Sequence, residues 1–223
     1  MTPALSSLDL AVTLSPISGN TEETDEWETP IFAFHDLDYI PSGYGGILAP
    51  YIETGPGTMR AAAKLMRLDL APHGDLSSTQ QVICDLGCGD GEFLIGLLSH
   101  INALTDDFPL LASSGLGIDY NASLIETAAL NAVIAGEKAQ WLVYDFNLDE
   151  HDLFGQMGKK GVTHVFVYLV PKQLALKTVR KLLVRLCESG VVICCHKFQP
   201  TYLEATRSDA LMDLVVYERA VQL

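Results

Sequence analysis

Val82-Ile-Cys-Asp-Leu-Gly-Cys-Gly-Asp-Gly-Glu-Phe-Leu94 reads as a buried strand that runs into a glycine-rich turn and then a helix. Gly87, Gly89 and Gly91 remove side chains where the backbone must bend sharply, and they let a ligand approach the main chain. A dinucleotide fingerprint needs a third glycine three residues after the second, and that position is Glu92. The spacing therefore points away from NAD. Asp85 adds an electrostatic argument: a carboxylate at this strand end repels a pyrophosphate and favours a ligand that carries an ammonium and a sulfonium.

Two further stretches extend the pattern. Gly115-Leu-Gly-Ile-Asp-Tyr-Asn121 reads as a strand ending in Asp119, and Gln140-Trp-Leu-Val-Tyr-Asp-Phe146 as a strand ending in Asp145 and an aromatic. Helices are expected at 91–100 and 122–135 and strands at 81–86, 116–119 and 140–144. A short helix near 149–157 leads to a strand at 162–168. A long helix then runs from Pro171 to just before Gly190, with Leu174, Leu176, Val179, Leu182, Leu183 and Leu186 on its apolar face. A strand at 191–195 and a closing antiparallel hairpin over 202–207 and 211–218 complete the chain. Strands alternating with helices argue for a parallel sheet.

In this order the motifs resemble those of the class I (seven-strand) S-adenosylmethionine-dependent methyltransferases. The resemblance implies an α/β fold, a doubly wound Rossmann-like sheet that is mostly parallel with an antiparallel C-terminal hairpin. It implies S-adenosyl-L-methionine as cofactor and S-adenosyl-L-homocysteine as product. Asp85, Gly87, Cys88 and Gly89 then belong to the first motif, Asp119 accepts the ribose hydroxyls with Tyr120 beside it, and Asp145 and Phe146 hold the adenine. The run Tyr168-Leu-Val-Pro171 and the earlier Pro50-Tyr-Ile-Glu-Thr54 are similar to those of lysine methyltransferases related to the enzymes of the ATP synthase c-subunit and adenine nucleotide translocase. That closer likeness implies a protein lysine as methyl acceptor, Tyr51 and Tyr168 near the amine, and Thr54 near the methionine end of the cofactor. Where those enzymes carry a hydrophobic anchor this chain has an acidic arm, which removes the reason to expect a membrane substrate.

The bland alternatives are specific. Tyr51 also fits a surface loop and Tyr168 an ordinary strand-end core residue, while Glu53 reads as an exposed loop carboxylate with a proton acceptor or substrate-lysine partner as its functional alternative. The six histidines, His35, His73, His100, His151, His164 and His196, show no metal spacing. His164 suits the core and His100 a helix cap. Cys84, Cys88, Cys194 and Cys195 would hold zinc only if all four converged, and no metal is expected. There is no Gly-x-Ser-x-Gly nucleophile elbow.

The 223 residues suffice for one large α/β domain. Residues 1–30 read as a flexible acidic arm, 31–75 as a lid and helix segment, and 76–223 as the cofactor-binding core; Trp27, Ile31, Phe32 and Phe34 offer anchors by which the arm closes over a ligand. With 28 acidic against 14 basic residues the formal net charge is −14. This charge disfavours nonspecific attraction to a phosphate backbone and makes nucleic acid a poor partner; it would steer basic proteins or cationic small molecules toward the chain, or serve solubility alone. No Lys or Arg precedes Arg60, which argues against a presequence or secretory signal. With no apolar run of membrane-spanning length and an odd cysteine count, the expected location is cytoplasmic. Oligomeric state is left open. A small-molecule N- or O-methyltransferase shares the whole cofactor half, and a noncatalytic scaffold on the same fold remains the alternative of another class.

Overall fold

The computed structural model describes residues 54–69, 80–104 and 112–219. The chain divides into the units Met1–Ile31 and Phe32–Leu223. The acidic arm with its proposed anchors, Tyr51, Glu53, His35 and His73 all lie outside the described residues.

Thirteen elements follow one another among the described residues: α1 (Pro56–Leu65), β1 (Val82–Leu86), α2 (Glu92–Ala103), β2 (Ser114–Asp119), α3 (Ala122–Ala135), β3 (Ala139–Val143), α4 (Leu153–Lys159), β4 (His164–Val167), α5 (Pro171–Leu174), α6 (Lys177–Glu188), β5 (Val192–His196), β6 (Arg207–Asp209) and β7 (Leu214–Tyr217). They build one seven-stranded sheet in the order β3-β2-β1-β4-β5-β7-β6. The first five strands in that order pair parallel, while β7 pairs antiparallel with both β5 and β6. This is the doubly wound arrangement with an antiparallel C-terminal pair. Its order reverses between β1 and β4, and in such sheets the crevice outside the carboxyl ends at that reversal receives the ligand.

Local chemistry explains the elements. The Asn121 side chain caps α3 by accepting the Ser123 and Leu124 N–H groups, and Gly136 ends it in the left-handed region at φ 75°. The expected bounds of this helix are met. The expected long helix after Pro171 is instead two: Leu176 sits in extended backbone at φ −61°, ψ 137° and separates α5 from α6. The apolar spacing explains the break. Val179, Leu182, Leu183 and Leu186 share one helical face, whereas Leu174 lies five residues before Val179 and falls out of phase with them.

The alternation of side chains along the strands creates two different cores. Cys84, Leu86, Leu116, Ile118, Val165, Val167, Ile193 and Cys195 point to one face and pack with Leu153 and Met157 of α4 and Leu182, Leu183 and Leu186 of α6. Ile83, Phe166, Cys194 and Val216 point to the other and pack with Ala62 and Ala63 of α1, with Met66 at its C-cap, and with Phe93, Leu94, Leu97 and Leu98 of α2. Phe93 and Phe166 stack at 3.8 Å between ring centroids. Among the described residues no helix is long and apolar enough to cross a membrane.

Candidate functional site

The glycine turn between β1 and α2 has three alternate residues in the left-handed region: Gly87 at φ 88°, Gly89 at φ 54° and Gly91 at φ 81°. L side chains rarely adopt these angles, which explains the glycines locally. Their surroundings differ. A Cβ on Gly91 would meet Trp141 at 2.4 Å and Ala128 at 2.9 Å. Its missing side chain therefore accommodates the protein's own Trp141, and the reading of Gly91 as ligand space is corrected. A Cβ on Gly87 would lie 3.2 Å from Leu169.

Two carboxylates flank this turn. Asp119, at the end of β2, accepts the Gly89 N–H at 3.1 Å on Oδ2 and the Asn121 N–H at 2.9 Å on Oδ1. It ties the glycine turn to the start of α3, a structural duty that its sequence position alone did not reveal. Each carboxylate oxygen carries two lone pairs, so these bonds leave acceptor capacity for a ligand. Burial pushes the Asp119 carboxyl up, against the backbone N–H groups of Asn121, Gly89 and Tyr120. Asp85 is buried in β1, and no hydrogen bond joins its carboxylate to another described residue. Burial first, and the Asp119 charge second, push its carboxyl up to about 8. A buried acid without such a partner, next to a second acid, is the environment that a bound cation relieves. The residues present thus fit a ligand bearing ammonium and sulfonium charge.

The other expected contacts are distributed unevenly. Tyr120 is 42% exposed beside Asp119. Asp145 accepts both the backbone and the side-chain N–H of Asn147 on Oδ1, at 2.9 Å each. The Asp119 carbonyl accepts the Tyr144 N–H at 2.8 Å, which holds the ends of β2 and β3 together. Phe146 is only 3% exposed and belongs to the core packed on α4 and α6. Cys88 is buried within the turn, its thiol 3.7 Å from the Gly89 carbonyl. Thr54 is half-buried just ahead of α1.

At the end of β4, Tyr168 is half-buried against the α1–α2 core. Its ring meets that of His196 at 4.5 Å and lies 5.8 Å from Lys197 Nζ. The His196 contact was missed in the sequence because nothing local marks it. Cys84 and Cys195 belong to one core and Cys194 to the other, so the four cysteines do not converge. Among the described residues no cluster of His, Cys, Asp and Glu is placed to hold a metal ion.

No protein-family model matches the chain. No curated protein matches it. Solved structures do. An S-adenosylmethionine-dependent methyltransferase from Geobacter sulfurreducens in complex with S-adenosyl-L-homocysteine is 19% identical over 63% of this chain and 47% of its own, with a TM-score of 0.41. The tRNA (uracil-54, C5)-methyltransferase of Pyrococcus abyssi, also with S-adenosyl-L-homocysteine, is 20% identical over 62% and 28%, at 0.38. A hypothetical protein of Thermus thermophilus is 12% identical over 81% and 92%, at 0.48. The chain spans about half the length of the first solved structures it matches. These likenesses concern the fold, and the chemistry has to be read from the chain's own residues.

Proposed function

We propose that this chain is an S-adenosylmethionine-dependent methyltransferase acting on an amine, with a protein lysine side chain as the acceptor. One observation carries the reading: two buried acids, Asp85 and Asp119, flank a turn of left-handed glycines at the carboxyl edge of the sheet, where its strand order reverses. In this reading Asp119 receives the ribose hydroxyls, Asp85 faces the cationic methionine end, and Asp145 receives the adenine amine. Tyr120 and the Gly87–Gly89 backbone line the adenosyl group. The cofactor supplies an activated methyl group when bound, and the protein's tasks are positioning, exclusion of water and handling of the acceptor nitrogen. Tyr168 stands one strand beyond Asp85 and serves that nitrogen. Tyr51 and Thr54 are assigned to the same end of the cofactor by resemblance alone.

Calorimetric titration with S-adenosylmethionine, S-adenosylhomocysteine and NAD tests the reading. Binding of the first two and not of NAD is expected; absence of binding by either adenosyl compound would remove the proposal and leave the scaffold alternative. A second reading, a small-molecule acceptor, is favoured by Lys197, whose cation over the Tyr168 ring disfavours a cationic peptide. Methyl-labelled cofactor incubated with a cell extract separates the two by whether label enters protein or small molecules.

A further inference from the structure

The carboxyl edge of the sheet carries one more polar residue than the reading above uses. Ile118, Leu86, Val167 and Cys195 form the last paired row across β2, β1, β4 and β5. One residue further along each chain segment come Asp119, Gly87, Tyr168 and His196. Neighbouring strands stand ~4.8 Å apart, and residues of one row project to the same face. Asp119, Tyr168 and His196 therefore share the face of Asp85 and Phe166. The ring contacts agree: His196 lies 4.5 Å from Tyr168 and 6.3 Å from Phe166 between centroids. Along the edge the order is ribose acid, glycine turn, tyrosine, histidine.

Both rings end in an orphaned atom. Tyr168 Oη and His196 Nδ1 are buried and have no hydrogen-bond partner among the described residues. Five buried side-chain atoms are unpartnered among the described residues, and of these only Tyr168 Oη and His196 Nδ1 lie on rings that touch. Two of them on touching rings, at the edge where an α/β sheet takes its ligand, mark the place of a polar group that arrives with that ligand. A primary amine has two N–H groups and one lone pair, and the site has two acceptors.

We propose that His196 is an acceptor-binding residue: its Nδ1 and the Tyr168 Oη take the two N–H groups of a primary amine, so that the nitrogen lone pair faces the methyl group. The assignment rests on the methyltransferase reading of the site. Burial and the Lys197 charge hold the imidazole down to about 4, against a smaller opposing pull from Asp213. A neutral imidazole keeps one bare nitrogen as acceptor, and a group this weakly basic orients an amine without taking its proton. The acceptor ammonium gives one proton to water before transfer and becomes the neutral amine. With the cofactor bound, the lone pair held by His196 and Tyr168 would form the new N–C bond while the S–C bond breaks with its electron pair left on sulfur, giving a thioether and a methylated ammonium. Lys197, at φ 60°, donates its N–H to the Asp213 carbonyl at 2.8 Å and turns the chain away immediately after His196.

The test compares two ligands by calorimetry. S-adenosylhomocysteine has nothing beyond the sulfur. Sinefungin carries an amine-bearing carbon in place of the sulfonium and so offers N–H groups toward the acceptor side. His196→Phe should leave S-adenosylhomocysteine affinity within about twofold and weaken sinefungin about tenfold, the effect of one lost hydrogen bond to a charged group. His196→Asn restores an acceptor near the Nδ1 position and should recover part of that loss, which a purely structural role would not do. Loss of both ligands in parallel, or of neither, overturns the assignment. Should His196→Phe fail to fold, Tyr168→Phe decides, because it removes only an orphaned hydroxyl: an unchanged ratio between the two ligands overturns the pair. Failure of the wild-type protein to bind S-adenosylhomocysteine is a different result, which removes the underlying methyltransferase reading.

Discussion

The two faces of the sheet are made from alternate residues of the same strands, yet they are built to different standards. Beyond Ser114 at the start of β2, the face toward α4 and α6 is apolar along β1, β2, β4 and β5, closed by Leu, Val, Ile and Cys. The face toward α1 and α2 is interrupted by Asp85, Asp119, Tyr168 and His196, and by Gly115 and Gly117, which have no side chains to contribute. A period of two thus separates an apolar face from the face to which ligand binding is assigned in the proposed function. Buried polar groups lower stability unless they are satisfied, and in the proposed function a ligand satisfies those of the second face.

The sharpest way to break this contrast is to force a side chain into the space on the second face that the Trp141 indole already fills. A Cβ on Gly117 would stand 2.2 Å from the Trp141 ring. Gly117→Val should cost about 3 kcal/mol in urea unfolding, and Gly117→Ala combined with Trp141→Leu should recover most of the loss seen with Gly117→Ala alone. Full stability of Gly117→Val would mean that the indole does not fill this space.

Asp119→Ala comes next. It should lower affinity for S-adenosylhomocysteine by about 2–3 kcal/mol and stability by about 1 kcal/mol, since the ligand and the Gly89 and Asn121 N–H groups lose their acceptor together. Calorimetric affinity within about twofold of wild type would take Asp119 out of the site.

Asp85 gives the contrast a pH dependence. Its carboxyl ionises near 3.8 when unfolded and near 8 when folded. Between those values the native state holds the extra proton, so stability without ligand falls as pH rises from about 4 to about 8. Asp85→Asn should flatten that slope and make the ligand-free protein about 1–2 kcal/mol more stable at pH 8 in denaturant titrations. Wild-type affinity for the cationic cofactor should rise over the upper part of that range and the variant's should not. A variant no more stable than wild type at pH 8 would show that Asp85 carries no such strain.

The smallest effect belongs to the outer side of the apolar face. Arg185 pairs with Asp152 at 3.2 Å, with side chains 40% and 64% exposed. Asp152→Ala should change stability by at most about 0.5 kcal/mol at moderate salt.

Much of this was legible in the sequence. The alternation of elements, the glycine turn, the strand-end acids and the capped helix at 122–135 rest on local signals, each readable within a few residues. What was not legible depends on register. Gly91 looks like a ligand glycine, and Gly117 like any other strand residue, until β3 is laid beside β2 and brings Trp141 over both. His196 looks like one more scattered histidine until β5 is laid beside β4 and sets it against Tyr168. The break at Leu176 was present as an apolar spacing out of phase, but a shared run of leucines hid it.

Burial of the thiols gives the protein a built-in reporter. Cys84, Cys88, Cys194 and Cys195 are shielded, and burial is the leading reason that each is held above its ordinary ionisation range. Alkylating reagents act on thiolates, so only Cys187, partly open on α6, presents itself to them in the native fold, and slowly. The remaining four become a clock. Cys84 and Cys195 time the opening of the apolar face, Cys194 that of the α1–α2 face, and Cys88 the loosening of the glycine turn itself. Mass spectrometry after a timed pulse of reagent would then read which part of the molecule lets go first, with no label added to the chain.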